Sequence, residues 1–377
     1  MLTIYPKLVA PETMNNKKKI LTVVGARPQF IKASVVSNVL ENLDEVQEVI
    51  VNSGQHYDYN MSQQFFNELS IPNPRYNLDV KSSSQARQVG SIMTSLEPIL
   101  DAENPDMVLV YGDTNTTLAA AITAAKQNYP LAHIEAGLRS YRKGMSEEIN
   151  RVLADRISDY LFCSSLHACK TLQSENIKNQ IFMVGDVMYD AFNASLARTN
   201  QEVILREFGL ERNSFYFVTF HRAENVDEPT RLRKIVQGLS VLANGKVPVI
   251  VALHPRTKKS IQSLDLNLGR SRIVDPLPYA QTIVLLRNAS AVITDSGGLQ
   301  KEAYFAETPC LTIRDETEWV ETLEKGHNRL LSPDKCERLV DVVSELQSSK
   351  LPKFSPIYGD GDAGEKICQH LRDILSV

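Results

Sequence analysis

The chain has 377 residues, 43% of them hydrophobic and 23% charged, with a formal net charge of −4, which is length enough for two domains of ordinary size. The slight acid excess supplies no global basic field for nucleic acid or an anionic membrane surface, so any anionic ligand must be held by local groups. No run approaches the roughly 18 apolar residues of a membrane span, and the five cysteines form neither a CxxC pair nor a zinc spacing, a pattern expected of a cytoplasmic protein with reduced thiols and no metal.

In chain order, residues 1–16 lack the charged start and apolar core of a signal peptide and read as an N-terminal extension. From Lys19 onward, short β-branched runs alternate with longer amphipathic stretches, the pattern of parallel strands joined by helices, so the class is α/β. Strands are expected at 20–25, 48–52, 107–111, 131–135, 160–163 and 181–184, then at 215–220, 247–253, 273–275, 291–294 and 310–313. Helices are expected at 115–126, 147–160 and 365–375. The pattern restarts after Gly185-Asp186, which divides the chain into an N-terminal domain, 1–186, and a C-terminal domain, 187–359. The tail, 360–377, can cross back onto the first.

In open parallel sheets, ligands bind outside the carboxyl ends of the strands, so polar residues that follow apolar runs mark the candidate site. Gly25-Ala26-Arg27-Pro28 follows the first strand. Gly25 allows a tight turn and Pro28 suits the first helical position, placing Arg27 and Lys32 beside a helix N-terminus able to seat a phosphate or carboxylate. A surface Arg and Lys on an ordinary helix is the alternative. Asp113 and Glu135 end two strands joined by one helix, so a right-handed crossover brings both carboxylates to one crevice, where like charges separate an acid from a base. Otherwise Asp113 caps its helix and Glu135 pairs with Arg139.

Glu147 and Glu148 open the next helix, with Arg151 one turn beyond Glu147 and able to pair with it; the preceding loop, 140–146, can fold over a substrate. In the second half, His221 and His254 follow strands. Asp295-Ser296-Gly297-Gly298 opens a helix whose N-terminus can hold a diphosphate while Glu302 reaches a ribose hydroxyl; a Ser296 cap followed by a solvated Glu302 is the alternative. Residues 359–364 satisfy GxGxxG, yet no clean strand precedes them and too few residues follow for a βαβ unit, so no nicotinamide cofactor is expected.

These residues resemble the non-hydrolysing UDP-N-acetylglucosamine 2-epimerase family from about Lys18 to the final helix. The likeness is carried by GARPQFIK at 25–32, SGQHYD at 53–58, YGDTNT at 111–116, HIEAGLRS at 133–140, EEINR at 147–151, HRAEN at 221–225, LHP at 253–255, TDSGGLQKEA at 294–303 and YGDGDA at 358–363. The resemblance implies a glycosyltransferase-B arrangement, two Rossmann-like domains with the active site in the cleft between them and UDP mainly on the C-terminal one. It implies catalytic roles for Asp113, Glu135, Glu147, His221 and Lys32, and substrate contacts from Arg27, Arg151, His254, Ser296, Gly297, Gly298 and Glu302. It also implies a homodimer, no cofactor, and a UDP-amino sugar as substrate, in bacterial polysaccharide supply.

The implied chemistry is epimerisation at C2, UDP-GlcNAc to UDP-ManNAc, by elimination of UDP to a glycal and re-addition. Typical members read GTRPE where Gln29 stands here, carry Pro where Ser146 stands, and, if allosterically activated, have Arg where Tyr57 follows His56. The first two departures resemble a branch acting on UDP-2,3-diacetamido uronic acids or 6-deoxy amino sugars; the third means that activation by substrate is not carried over. A UDP-sugar glycosyltransferase, a hydrolysing epimerase, and a binding protein without turnover are the competing readings; the first shares the fold, but three carboxylates suit proton transfer at carbon.

Overall fold

The computed structural model describes residues 17–54, 72–80, 84–324, 326–350 and 353–377; the expected extension, 1–16, and the Gln55-His56-Tyr57 positions lie outside them. Seven strands form the first sheet: β1 (Lys18–Val24), β2 (Val46–Asn52), β3 (Tyr76–Asn77), β4 (Met107–Tyr111), β5 (Leu131–Ala136), β6 (Tyr160–Cys163) and β7 (Gln180–Met183), in the order β3-β2-β1-β4-β5-β6-β7. Six form the second: β8 (Tyr216–Thr219), β9 (Val249–Ala252), β10 (Arg272–Val274), β11 (Ala291–Thr294), β12 (Cys310–Thr312) and β13 (Asn328–Leu330), in the order β10-β9-β8-β11-β12-β13.

The pairings described are parallel, and both sheets have the doubly wound order of Rossmann-like folds. All eleven expected strands are present. β3 and β13 were not expected; β3, with two residues, is too short to display a period. The helix expected at 147–160 spans Ser146–Ile157: Asp159 is already tied to the sheet, its N–H donating to Leu131 O and its carboxylate accepting Leu131 N–H. The closing helix runs Ala363–Leu375.

The chain divides into two compact units. One holds the described residues up to Ile134, with Arg156–Tyr160 and Gly364–Val377; the other holds Glu135–Asp155 and Leu161–Ala363. In the first, every residue of β4, Met-Val-Leu-Val-Tyr, is buried, as a central parallel strand covered on both faces requires. In the second, Val218, Val251, Ile293 and Leu311 pack with Leu232, Leu239, Leu339 and Val343 from flanking helices, each burial stabilising by about 1.5–3 kcal/mol. The strand order reverses between β1 and β4 in one sheet and between β8 and β11 in the other, and such reversals are where open α/β sheets leave a crevice.

Candidate active site

In the first unit, the residues that follow β1 and β4 are locked together. A Cβ on Gly25 would collide with Ser53 Oγ and stand 2.6 Å from Thr116 Oγ1, and those two hydroxyls are themselves bonded at 2.8 Å. The helix Arg27–Leu40 has Arg27 first and Pro28 second, one position later than expected, because Ala26 takes the N-cap. Gln29, 1% exposed, is a structural clamp. Its Oε1 accepts from Gly25 N (3.0 Å) and Ala26 N (3.1 Å), while Nε2 donates to Tyr111 O (2.9 Å) and Thr117 Oγ1 (3.0 Å). Lys32 lies on this helix and is buried.

Tyr111 of β4 pairs with Ile134 of β5, and Asp113, half-buried, lies two residues past Tyr111. Thr114, not Asp113, caps the helix Asn115–Lys126, so the capping alternative for Asp113 is not realised.

In the second unit, Thr219 of β8 pairs with Thr294 of β11, which sets His221 and Ser296 two residues beyond neighbouring strand ends. Asp295, fully buried, accepts from His221 N (3.0 and 3.1 Å), Arg222 N (3.0 Å) and Asn225 Nδ2 (3.0 Å). The His221 ring is half exposed, with Nδ1 3.7 Å from Asp295 Oδ1. His254 is exposed and caps the helix Pro255–Ser263, its Nδ1 accepting Arg256 N–H at 3.3 Å.

Ser296 caps the helix Gly297–Phe305, its Oγ accepting Leu299 N–H at 3.4 Å. The glycines after it differ. A Cβ on Gly297 would stand 2.6 Å from Glu318 Oε1, whereas one on Gly298 would meet nothing nearer than Ser296 Oγ at 4.0 Å; only Gly298 keeps the helix end open. Glu302, one turn in, is buried, against the alternative of a solvated Glu. Glu318 pairs with Arg314 at 2.9 Å. Burial opposes its charge, but Arg314, then its own backbone N–H, Arg151 and Arg222 outweigh burial and hold its carboxyl below the usual range. Three guanidiniums therefore act around one carboxylate beside this helix end.

The paired glutamates split their tasks. Glu148 is buried and accepts from Ser140 N (2.8 Å), Ser140 Oγ (3.0 Å) and Tyr141 N (2.9 Å), and Arg151 pairs with it at 3.4 Å rather than with Glu147 as expected. Glu147 is exposed. Helix spacing alone allows either pair, at i+3 from Glu148 or i+4 from Glu147; burial decides, since Glu148, which the loop bonds, and Arg151 are both buried while Glu147 is exposed. Arg142 of the 140–146 loop pairs with Glu224 at 2.7 Å.

Glu135, the penultimate residue of β5, has φ +70, a left-handed conformation costly outside glycine and common at functional sites. Its partner is not Arg139, which pairs with Asp155 and Glu175. Instead Lys301 Nζ lies 2.9 Å from Glu135 Oε1 and 2.5 Å from Asp186 Oδ2, with all three side chains buried. Burial works against the ammonium, but Asp186 and then Glu135 outweigh it and push Lys301 up.

A family model described as UDP-N-acetylglucosamine 2-epimerase matches residues 38–372. The chain belongs to the UDP-N-acetylglucosamine 2-epimerase family. It is 42% identical to the UDP-2,3-diacetamido-2,3-dideoxy-D-glucuronate 2-epimerase of Pseudomonas aeruginosa, over 94% of this chain and 99% of that protein. Among solved structures, UDP-GlcNAc 2-epimerase of Methanocaldococcus jannaschii, in complex with UDP-GlcNAc and UDP, superposes with a TM-score of 0.85 at 39% identity, covering 94% of this chain and 99% of that one. UDP-GlcNAc 2-epimerase of Neisseria meningitidis bound to UDP-GlcNAc gives 0.84 at 29%, covering 94% and 100%.

In this member of the epimerase family, sequence reasoning missed Asp186, Asp295, Arg314, Glu318 and Lys301. Asp295 carried a signal, since it directly follows β11 and precedes the Ser296 cap. Lys301 carried none: a lysine inside an amphipathic helix reads as solvated, and only the packing around it shows otherwise. Among the described residues no group of His, Cys, Asp or Glu is arranged to hold a metal, and no helix is long and apolar enough to cross a membrane. The five cysteines are free and buried.

Proposed function

We propose that the chain inverts C2 of a UDP-linked 2-acetamido sugar, taking UDP-GlcNAc to UDP-ManNAc. The observation that carries this reading is the helix end at Ser296-Gly297-Gly298, open on its Gly298 side, with Glu302 buried one turn on and the Arg314 guanidinium, paired with Glu318, at the Gly297 turn. It is suited to a nucleoside diphosphate. In the forward step the C1–O bond to UDP and the C2–H bond break, a C1=C2 double bond forms, UDP leaves with the bonding electron pair, and a carboxylate takes the proton. The return delivers a proton to the opposite face of C2 while UDP re-adds at C1.

Glu135 is assigned as a proton-transfer carboxylate, and Asp113 and Glu147 as its acid/base partners on the strength of the motifs YGDTNT and EEINR. His221 acts on the diphosphate; Arg27 and Lys32 stabilise its growing charge; His254 and Glu302 contact the nucleotide. A UDP-2,3-diacetamido uronic acid is the second substrate reading, favoured by the Pseudomonas relative.

The test is NMR of the purified protein with UDP-GlcNAc, and separately with the 2,3-diacetamido uronate, in D2O without acceptor. Deuterium at C2 together with the C2 epimer is expected from one of them. Irreversible release of free sugar would make the chain a hydrolase, and absence of exchange with both sugars would overturn the reading.

A further inference from the structure

Lys301 has no task in the chemistry above, yet it is among the largest fully buried side chains of the described residues. Its ammonium sits 2.9 Å from Glu135, 2.5 Å from Asp186 and 4.0 Å from the centre of the Trp319 ring. An ammonium has three N–H donors, and two carboxylates and the Trp319 ring lie against it, with the Phe305 ring of its own helix farther off at 5.9 Å. Burying a cation is tolerated only with such partners, and here each partner comes from a different place in the chain. Glu135 is the penultimate residue of β5. Asp186 caps the helix Val187–Arg198 through Oδ1, which accepts Met188 N–H, and is held by its own N–H on Tyr358 O. Trp319 follows β12.

We propose that Lys301 is a positioning residue for Glu135: it fixes the carboxylate at the end of β5 in its charged form, and Asp186 anchors the ammonium by sharing it. The proposal rests on Glu135 being a proton-transfer group. Lys301 itself touches no substrate in this assignment. Helix Gly297–Phe305 thus serves twice, with its N-terminus toward a diphosphate and its second turn toward the carboxylate that handles the C2 proton. Other ionisable groups around the cluster are Glu302 on the same helix, Glu318 and Glu321 from the segment after β12, Arg314 paired with Glu318, and Tyr358, on which the charges of Glu321, Asp186 and Glu318 act. The two substitutions below leave these groups in place.

Charge sharing makes opposite predictions for the two partners. Lys301→Gln removes a cation beside Glu135, so the acidic limb of the kcat–pH profile moves up by on the order of one pH unit, with kcat at neutral pH down at least about tenfold and KM little changed. Asp186→Asn keeps an oxygen for the helix cap but removes the competing anion, so the limb moves down. A purely structural lysine would lower stability in both variants without moving the limb in opposite directions.

The experiment compares the two variants, Glu135→Gln and the unsubstituted protein by C2 deuterium exchange across pH, with thermal unfolding as a control. A second readout needs no substrate: 13C NMR titration of glutamate side-chain carboxyls in the ligand-free protein, with the Glu135 signal assigned by its loss in Glu135→Gln. Opposite shifts of that signal, followed by the kinetic limb, support the proposal; a signal unmoved by either variant overturns it. If Lys301→Gln does not fold, Asp186→Asn decides, and an unmoved or upward shift overturns it. If the signal moves as described but Glu135→Gln exchanges deuterium at the unsubstituted rate, then the assignment of Glu135 to catalysis is what fails, and the positioning role fails with it.

Discussion

Asp295 holds His221 by the backbone rather than by the ring: both carboxylate oxygens accept the His221 N–H, at 3.0 and 3.1 Å, while the imidazole Nδ1 stands 3.7 Å away. The same buried carboxylate takes the Arg222 N–H and the Asn225 amide, so one side chain at the end of β11 shapes the loop that follows β8. Asp295→Ala would leave three donors without their acceptor. It is expected to cost about 3–5 kcal/mol and to depress deuterium exchange more than UDP affinity, as thermal unfolding and calorimetry would read. Unchanged unfolding and exchange would remove Asp295 from the site.

The two glycines after Ser296 should separate folding from binding. Gly297→Ala pushes a methyl onto Glu318 Oε1 and is expected to lower the unfolding temperature. Gly298→Ala has open space on that side, and alanine is favoured over glycine inside a helix by roughly 0.5–1 kcal/mol. That variant should unfold no earlier than the parent, yet bind UDP at least about tenfold more weakly if the diphosphate approaches there. Titration calorimetry with UDP beside an unfolding scan distinguishes the two effects.

Glu318 gives a pH signature. Its carboxyl is held below the ordinary 4.5, so it binds protons less readily folded than unfolded; its contribution to stability is full above about that pH and is lost as the pH falls below it. Glu318→Gln should therefore cost roughly 2–3 kcal/mol at pH 7 and progressively less below pH 4.5. Denaturant midpoints for both proteins at pH 7 and pH 3.5 check the sign, and a gap that widens at low pH would contradict it.

Gln29 uses both ends of its amide. A carboxylate would keep the bonds from Gly25 N and Ala26 N but set lone pairs against Tyr111 O and Thr117 Oγ1. Gln29→Glu is thus expected to cost about 1–3 kcal/mol at pH 8, with part recovered at pH 5, where a protonated acid can donate to one of those oxygens. Urea unfolding at the two pH values measures it.

Much of this could be read in the residues themselves. The β-branched runs and their spacing determine a pair of parallel sheets, because strands buried on both faces must be apolar throughout and their helices amphipathic; the strand-end motifs determine the family and which of its residues to inspect. Tertiary packing decided the rest. Adjacent glutamates, Glu147 and Glu148, look equivalent along the chain, and only the 140–146 loop folding onto Glu148 distinguishes them. Gly297 and Gly298 look equally open until Glu318 is brought against one of them. Lys301, Glu135 and Asp186 are far apart in sequence and carry no common period; they form a cluster only because a buried charge must find its counter-charges wherever the folded chain supplies them.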